Sequence, residues 1–306
     1  MTKKSETIVF FGSGPVAAES LRLLSKDFSI EGVVTKPRPS RHRGSVPVLE
    51  LAEKLKLPIK TVTNKQDLDA LFGDNPFKSR CAVLIDFGII VSQKVIDFFP
   101  LGIINSHFSI LPEWRGADPI TFSILSGQKQ TGVSLMLLVE AMDEGPLLAY
   151  GEYDLPPKIT TPELTDDLIK LSQALLESVL PLYIAGESKE APQSLTGRAV
   201  SYSRKLSKDD SLLDWNKPAE ELEREIRAYI EWPKSRTKLK DLELIITSAH
   251  VIEASGQPGS TTVIDKHPVF YCGKQALAID RLKPAGKKEM TGEAFLAGYK
   301  HLLINN

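Results

Sequence analysis

Short apolar runs alternate with stretches of helical period through the first half of the chain. Thr7-Ile-Val-Phe-Phe11 reads as a buried strand, and Gly12-Ser-Gly14-Pro15 leads from it into a helix pattern through Leu21 and Leu24. Ile30-Glu-Gly-Val-Val34 is a second strand, Val48 to Leu57 repeats the helical period, and Cys81-Ala-Val-Leu-Ile85 is another apolar run. Leu101-Gly-Ile-Ile and Val133-Ser-Leu-Met-Leu-Leu-Val139 continue the series. Strands alternating with helices predict a Rossmann-like α/β domain with a doubly wound parallel sheet. Thr161-Pro-Glu opens an amphipathic helix whose stripe is Leu164, Leu168, Leu171, Leu175, Leu176 and Val179, which reads as core packing.

The pattern changes after residue 190. Ala191-Pro-Gln-Ser-Leu reads as a connector and Ala219 to Tyr229 as a helix. Alternating runs such as Leu242-Glu-Leu-Ile-Ile and Val263-Ile-Asp follow, separated by Gly256-Gln-Pro-Gly259 and Cys272-Gly-Lys. Short strands with glycine turns predict a small β-barrel. With 306 residues the chain exceeds one typical core. The expected division is a catalytic domain over 1–190, a linker over 191–204 and a C-terminal domain over 205–306.

Composition narrows the classes only slightly. Cys81 and Cys272 lack metal-site spacing and predict buried thiols in a reducing cytoplasm. No apolar run reaches the length of a membrane span, and Met-Thr-Lys-Lys-Ser-Glu lacks a signal-peptide core, so no membrane association is expected. The net charge is −1, and residues 201–306 carry 17 Lys and Arg against 15 Asp and Glu. That balance does not by itself mark a nucleic-acid binder.

Candidate chemistry concentrates at strand ends. Asn105 and His107 lie two residues apart after Leu101-Gly-Ile-Ile, so on a strand both side chains point to one face. Asp143 lies beyond the Val133–Val139 run, in Met142-Asp143-Glu-Gly145-Pro146. A carboxylate beside an imidazole raises its basicity and fixes its tautomer. Ligands of open α/β sheets bind outside the carboxyl ends of the strands, which places Asp86, Phe87, Gly88, His107 and Asp143 at the expected site. Gly12-x-Gly14-x-x-Ala17 has dinucleotide spacing, but Thr35-Lys36-Pro37 stands where the ribose-binding acid belongs, and Glu31 lies at the wrong end of its strand. Glycines for a tight strand-to-helix turn are the expected role.

Asn105-Ser-His107-Phe-Ser109-Ile-Leu-Pro112-Glu-Trp-Arg115-Gly116 with the Asp143-x-Gly145 turn resembles the folate-dependent formyltransferases. Val200-Ser-Tyr-Ser-Arg-Lys205-Leu-Ser-Lys-Asp with Asp214-Trp215, Ile226-Arg-Ala-Tyr-Ile-Glu-Trp232-Pro233 and Leu282-Lys-Pro284-Ala-Gly286-Lys287-Lys288 resemble the branch that acts on transfer RNA. The resemblance implies a formyl transferase that carries the formyl group of 10-formyltetrahydrofolate to the amino group of methionyl initiator transfer RNA. It also implies an OB-like C-terminal domain, no metal, a cytoplasmic location and a monomer. Asn105, His107 and Asp143 are the implied catalytic residues. Ser109, Ile110, Leu111 and Pro112 are implied at the folate site, joining Phe87 and Gly88. Arg38, Arg41 and Arg43, in a basic loop from Lys36 to Gly44, are implied to contact the RNA. Arg204, Lys205, Arg236 and Lys238 are further candidates, with Lys234, Lys287 and Lys288 beside them. The chain departs from the family pattern in a shorter basic loop without paired lysines after its glycine, and in Asp118, where a small residue is usual. A sugar-amine formyltransferase would share the catalytic residues. Purine-pathway formyltransferases are shorter than this chain, and a non-catalytic nucleic-acid module would have lost the catalytic residues.

Overall fold

The computed structural model describes residues 6–39 and 44–303. The strands are β1 (Thr7–Phe11), β2 (Ser29–Thr35), β3 (Ile59–Thr61), β4 (Ala82–Leu84), β5 (Ile103–His107), β6 (Arg115–Gly116), β7 (Gln130–Leu137), β8 (Leu147–Asp154), β9 (Tyr202–Ser203), β10 (Ser235–Leu239), β11 (Leu242–Ile252), β12 (Thr261–Ile264), β13 (His267–Tyr271), β14 (Ala276–Pro284) and β15 (Met290–Thr291). The helices are α1 (Pro15–Asp27), α2 (Pro47–Lys54), α3 (Lys65–Leu71), α4 (Gln93–Phe98), α5 (Pro119–Ser126), α6 (Thr161–Ile184), α7 (Ala219–Ala228) and α8 (Gly292–Leu303).

Two compact units divide the chain. The first takes Met1–Pro119, Gln130–Asp154 and Thr165–Ser203, and the second takes Ile120–Lys129, Leu155–Leu164 and Arg204–Asn306. Neither is one continuous stretch, since α5 and the first turn of α6 count with the second. Residues 191–204 are not a free tether. Ala191 bridges to Leu147, Gln193–Thr196 forms a 3-10 turn, and β9 pairs with β6.

The first unit is built on a seven-stranded sheet of order β3-β2-β1-β4-β5-β7-β8. β1 to β5 are parallel, as the alternation predicts. β7 runs antiparallel to β5, and β8 antiparallel to β7, so the sheet is not parallel throughout. All five residues of β5 are buried, as expected of a strand covered on both faces. α1 starts with Pro15 at its first turn, where a missing N–H costs nothing. It buries Ala17, Leu21 and Leu24 at helical spacing, each leucine contributing about 1.5–3 kcal/mol. Phe11, Phe72, Phe77, Phe87 and Phe99 fill one side of this core.

The second unit carries a six-stranded antiparallel sheet of order β10-β11-β14-β13-β12, with β15 on β14. Its core gathers Leu222 and Ile226 of α7, Leu244 and Ile246 of β11, Phe270 of β13, Leu277, Ile279 and Leu282 of β14, and Phe295 of α8. β10 alternates buried and exposed residues along its whole length, the pattern of an edge strand with one wet face. Among the described residues no helix is long and apolar enough to cross a membrane.

Candidate active site

Asn105 and His107 end β5, and both are buried. Their strand pairs with β7 through Asn105↔Met136 and His107↔Ser134. The expected delivery of Asp143 from the carboxyl end of a parallel strand is therefore corrected. β7 runs away from His107 toward Ile104, and the loop after Leu137 carries Asp143 back to the site. Asp143 takes a left-handed backbone at φ 54° to do so, a conformation tolerated better by Asp than by most residues.

The Asp143 carboxylate is held by Oδ2 accepting the Gly116 backbone N–H at 2.7 Å, a short charge-assisted bond. Oδ1 accepts a longer contact, 3.4 Å, from Asn105 Nδ2. His107 Nδ1 stands 3.8 Å from Asp143 Oδ2, within range of charge attraction but too far for a direct hydrogen bond. His107 Nε2 lies 3.0 Å from the Trp114 carbonyl. A carbonyl only accepts, so Nε2 carries the proton and this carbonyl, not Asp143, fixes the tautomer.

A supporting layer was not legible in the sequence. Gln193 Nε2 donates to the carbonyls of Asp143 at 2.7 Å and Gly145 at 2.9 Å, pinning the turn that carries the acid. Arg115 donates to Gln193 Oε1 at 2.8 Å and to Glu144 at 2.9 Å. The Trp114 N–H donates to Ser201 Oγ. At Gly116, φ is 111° and a Cβ would come within 2.4 Å of the Ser203 carbonyl, so β6 meets β9 only because that residue is glycine. Gln193 lies among a polar Pro-Gln-Ser connector, and nothing in its local sequence separates it from an ordinary loop glutamine.

The expected folate-site residues Ser109 to Pro112 follow β5 closely in the chain. Ser109, Ile110 and Leu111 bury their side chains completely. The Ser134 hydroxyl donates to the Ser109 carbonyl at 2.8 Å and accepts the Leu111 N–H at 2.9 Å. Thr196 donates to the Leu111 carbonyl, and the Pro112 carbonyl accepts from the Ser201 N–H. The segment is rigid, with its backbone groups engaged. The Phe87 ring is buried edge-on against Phe11, whereas Gly88 is exposed, with φ 66°, and Lys36 Nζ stands 3.0 Å from where its Cβ would be.

Asp86 sits at the same strand end, with φ 45°. Burial pushes its carboxyl up to about 6, against the pull of Lys36 and with repulsion from Asp118. The side chain keeps access to solvent, so it lies in a concave region rather than inside the core. Asp118 is tied through its N–H to Ser203 Oγ. No group of three or more His, Cys, Asp or Glu side chains is placed to hold a metal ion among the described residues.

The expected RNA-contacting residues fall in several places. Arg41 and Arg43 lie outside the described residues. Arg38 pairs with Glu50 at 3.2 Å. Arg204 forms a two-pronged pair with Asp210 and lies 5.9 Å from the Phe122 ring centre, while Lys205 is exposed. Arg236 and Lys238 point from the wet face of β10, and Lys234 and Lys240 extend the same alternation of exposed positions. Cross-strand pairing sets Arg236 beside Ile245 and Ile245 beside Lys283, which broadens the basic stripe; Glu243 opposite Lys238 interrupts it.

Residues 11–180 match the formyl transferase family, and residues 205–300 match the formyl transferase C-terminal domain. A methionyl-tRNA formyltransferase of Chloroflexus aurantiacus is 36% identical over 300 residues, covering 95% of this chain and 96% of the relative. One from Pseudoalteromonas translucida is 34% identical, covering 95% and 93%. Among solved structures, an N-formyltransferase of Helicobacter canadensis in complex with folinic acid and dTDP-3-aminofucose aligns with TM-score 0.68 at 16% identity, over 90% of this chain and 98% of that one. HypX from Aquifex aeolicus in complex with tetrahydrofolic acid aligns with TM-score 0.64 at 13% identity, over 96% and 47%. The chain belongs to the formyl transferase family and matches its methionyl-tRNA formyltransferases over nearly its whole length.

Proposed function

We propose that this chain transfers the formyl group of 10-formyltetrahydrofolate to the amino group of methionyl initiator transfer RNA, giving N-formylmethionyl-tRNA. The observation that carries this reading is the near full-length match to methionyl-tRNA formyltransferases, with Asn105, His107 and Asp143 brought to one volume. Folate is a substrate here, and exposed Gly88, just after β4, lies at the strand ends where ligands of such sheets bind.

In the reaction the neutral amine of the methionyl group attacks the formyl carbon. The new N–C bond forms, the C–N bond to the folate breaks, the amine gives up a proton and the folate nitrogen takes one. Negative charge builds on the formyl oxygen meanwhile. Asn105 Nδ2 has two hydrogens and spends one on a long contact to Asp143, so the other is available to that oxygen. His107 Nδ1 and Asp143 Oδ2 are 3.8 Å apart, and an amine off the line joining them reaches both at about 2.9 Å. His107 takes the proton through Nδ1, and Asp143 stabilises the imidazolium that results.

The division of labour is part of the proposal. Residues 1–190 carry the chemistry and residues 205–306 carry RNA binding, with the β10 stripe of Lys234, Arg236 and Lys238 as phosphate contacts. Lys205, Arg38, Arg41, Arg43, Lys287 and Lys288 add to it, and Arg204 does so once released from Asp210. The test is formylation of charged initiator transfer RNA against a dTDP-amino sugar as alternative acceptor. Turnover with the sugar alone would overturn the reading.

A further inference from the structure

The second unit holds a cavity of about 440 Å³ outside the machinery described above, within the size range of small-molecule sites. It lies between residues 127–129, the stretch 155–159 and α7. Ile124, Leu155, Ile159 and Val251 give it an apolar part, to which Pro156 and Pro157 add. Four cations and two carboxylates complete the lining.

The cations differ in what they are doing. Lys158 and Arg227 both bond Glu223 at 3.0 Å, and Arg227 also donates to the Ile159 carbonyl. These groups are engaged. Arg224 is held by a single bond from Nε to the Leu125 carbonyl at 3.1 Å, and its guanidinium lies close over Gly127, where a Cβ would be 3.1 Å away. Its two terminal nitrogens make no bond among the described residues. Lys129 has no side-chain partner there either. The cavity is thus lined by Arg224, whose guanidinium is fixed through Nε, and by Lys129, whose side chain makes no bond among the described residues. That combination matches a phosphate group, which a guanidinium fork grips with two parallel bonds and an ammonium neutralises. Glu220 offers an acceptor for hydroxyl or amino groups on the rest of a ligand.

We propose that this cavity binds a nucleoside phosphate, with the phosphate on Arg224 and Lys129 and the base against Pro156, Pro157 and the apolar lining residues. The source is a nucleotide of the acceptor RNA or a free mononucleotide; only the first rests on the function proposed above. The experiment titrates AMP and uncharged transfer RNA into the full chain and into Lys129→Gln and Arg224→Gln, over a range of salt. AMP should saturate the wild type and bind at least about tenfold more weakly to each variant, the loss of one charged hydrogen bond. If RNA is the source, the salt slope for transfer RNA also falls by about one per variant and AMP competes with it. If free nucleotide is the source, AMP binding weakens while the RNA slope holds. The Lys129 side chain bonds nothing among the described residues, so its variant remains informative should Arg224→Gln unfold. Failure of AMP to saturate the wild type, or equal binding by folded Lys129→Gln, overturns the proposal. Formylation measured on the same wild-type preparation reports separately on the proposed function.

Discussion

Replacing Asp143 by Asn separates charge from hydrogen bonding at the site. In the native arrangement Oδ2 accepts the Gly116 N–H and Oδ1 accepts from Asn105. An amide oxygen keeps the first bond, and only the long second contact is given up if Asn105 holds its orientation toward the formyl oxygen, so Asp143→Asn should fold with its turn intact. What it loses is a negative charge 3.8 Å from His107 Nδ1. At an effective dielectric of about 20, that separation corresponds to about 4 kcal/mol between unit charges. If His107 becomes an imidazolium in the transition state, turnover should fall about 10³-fold. The assay is single-turnover formylation of charged transfer RNA at saturating folate, with thermal unfolding as the control for the fold. The reasoning is refuted if Asp143→Asn stays within about threefold of wild type while Asp143→Ala is strongly impaired. That pattern would make the residue an acceptor for the Gly116 N–H and nothing more.

Other perturbations test separate links. Gln193→Leu strands the Asp143 and Gly145 carbonyls and an Arg115 donor, and should cost about 2–4 kcal/mol of stability together with a loss in turnover, read by denaturation and by initial rates; unchanged stability would remove Gln193 from the supporting layer. Asp86 has a carboxyl raised to about 6, so its stabilising share is fully present below about pH 4 and is lost as pH rises through about 6. Asp86→Asn should therefore gain relative to wild type at pH 8 and not at pH 4, by no more than about 1 kcal/mol given its solvent contact; an equal difference at both pH values would refute this. Reversing Arg236 and Lys238 to Glu should lower the salt slope of transfer RNA binding by about two, with folate affinity unchanged. Burial pushes the Cys81 thiol up to about 12 and the Cys272 thiol up to about 11, so both should resist a thiol reagent until the chain is unfolded.

The elements were legible where side-chain periodicity sets them. The stripe from Leu164 onward became α6, and the Ala219 pattern became α7. Strand direction is not carried by periodicity, since an apolar run reads the same whichever way its neighbour runs. β7 was therefore expected to be parallel, yet it pairs antiparallel with β5. The residues of the site could be found because chemistry restricts them to a few types. Their restraints could not, because the Trp114 carbonyl that orients His107 is a backbone group present at every residue. Gln193, which holds the Asp143 turn, is 50 residues away in the chain.

The Gly12-x-Gly14 turn shows how a motif's geometry can survive while its ligand is replaced from within. In a dinucleotide site the turn's N–H groups and the following helix N-terminus face a phosphate. Here the N–H groups of Ser13 and Gly14 donate to the Asp86 carbonyl at 3.0 and 3.4 Å. The Ser13 hydroxyl bonds the Phe87 carbonyl at 2.7 Å, and a Cβ on Gly14 would lie 1.8 Å from Asp86 Oδ2. The group that comes close to this glycine is thus an aspartate, not a pyrophosphate. Its carboxylate brings negative charge to the start of α1, where a helix favours an anion, and would repel a phosphate from the same place. These bonds tie the end of β1 to the segment after β4, and they fix the backbone from which Phe87 enters the core and Gly88 turns outward. The absence of a ribose-binding acid after β2 and the engagement of the turn by Asp86 are two sides of one arrangement, which agrees with the proposal that folate meets the sheet at β4 and β5 instead.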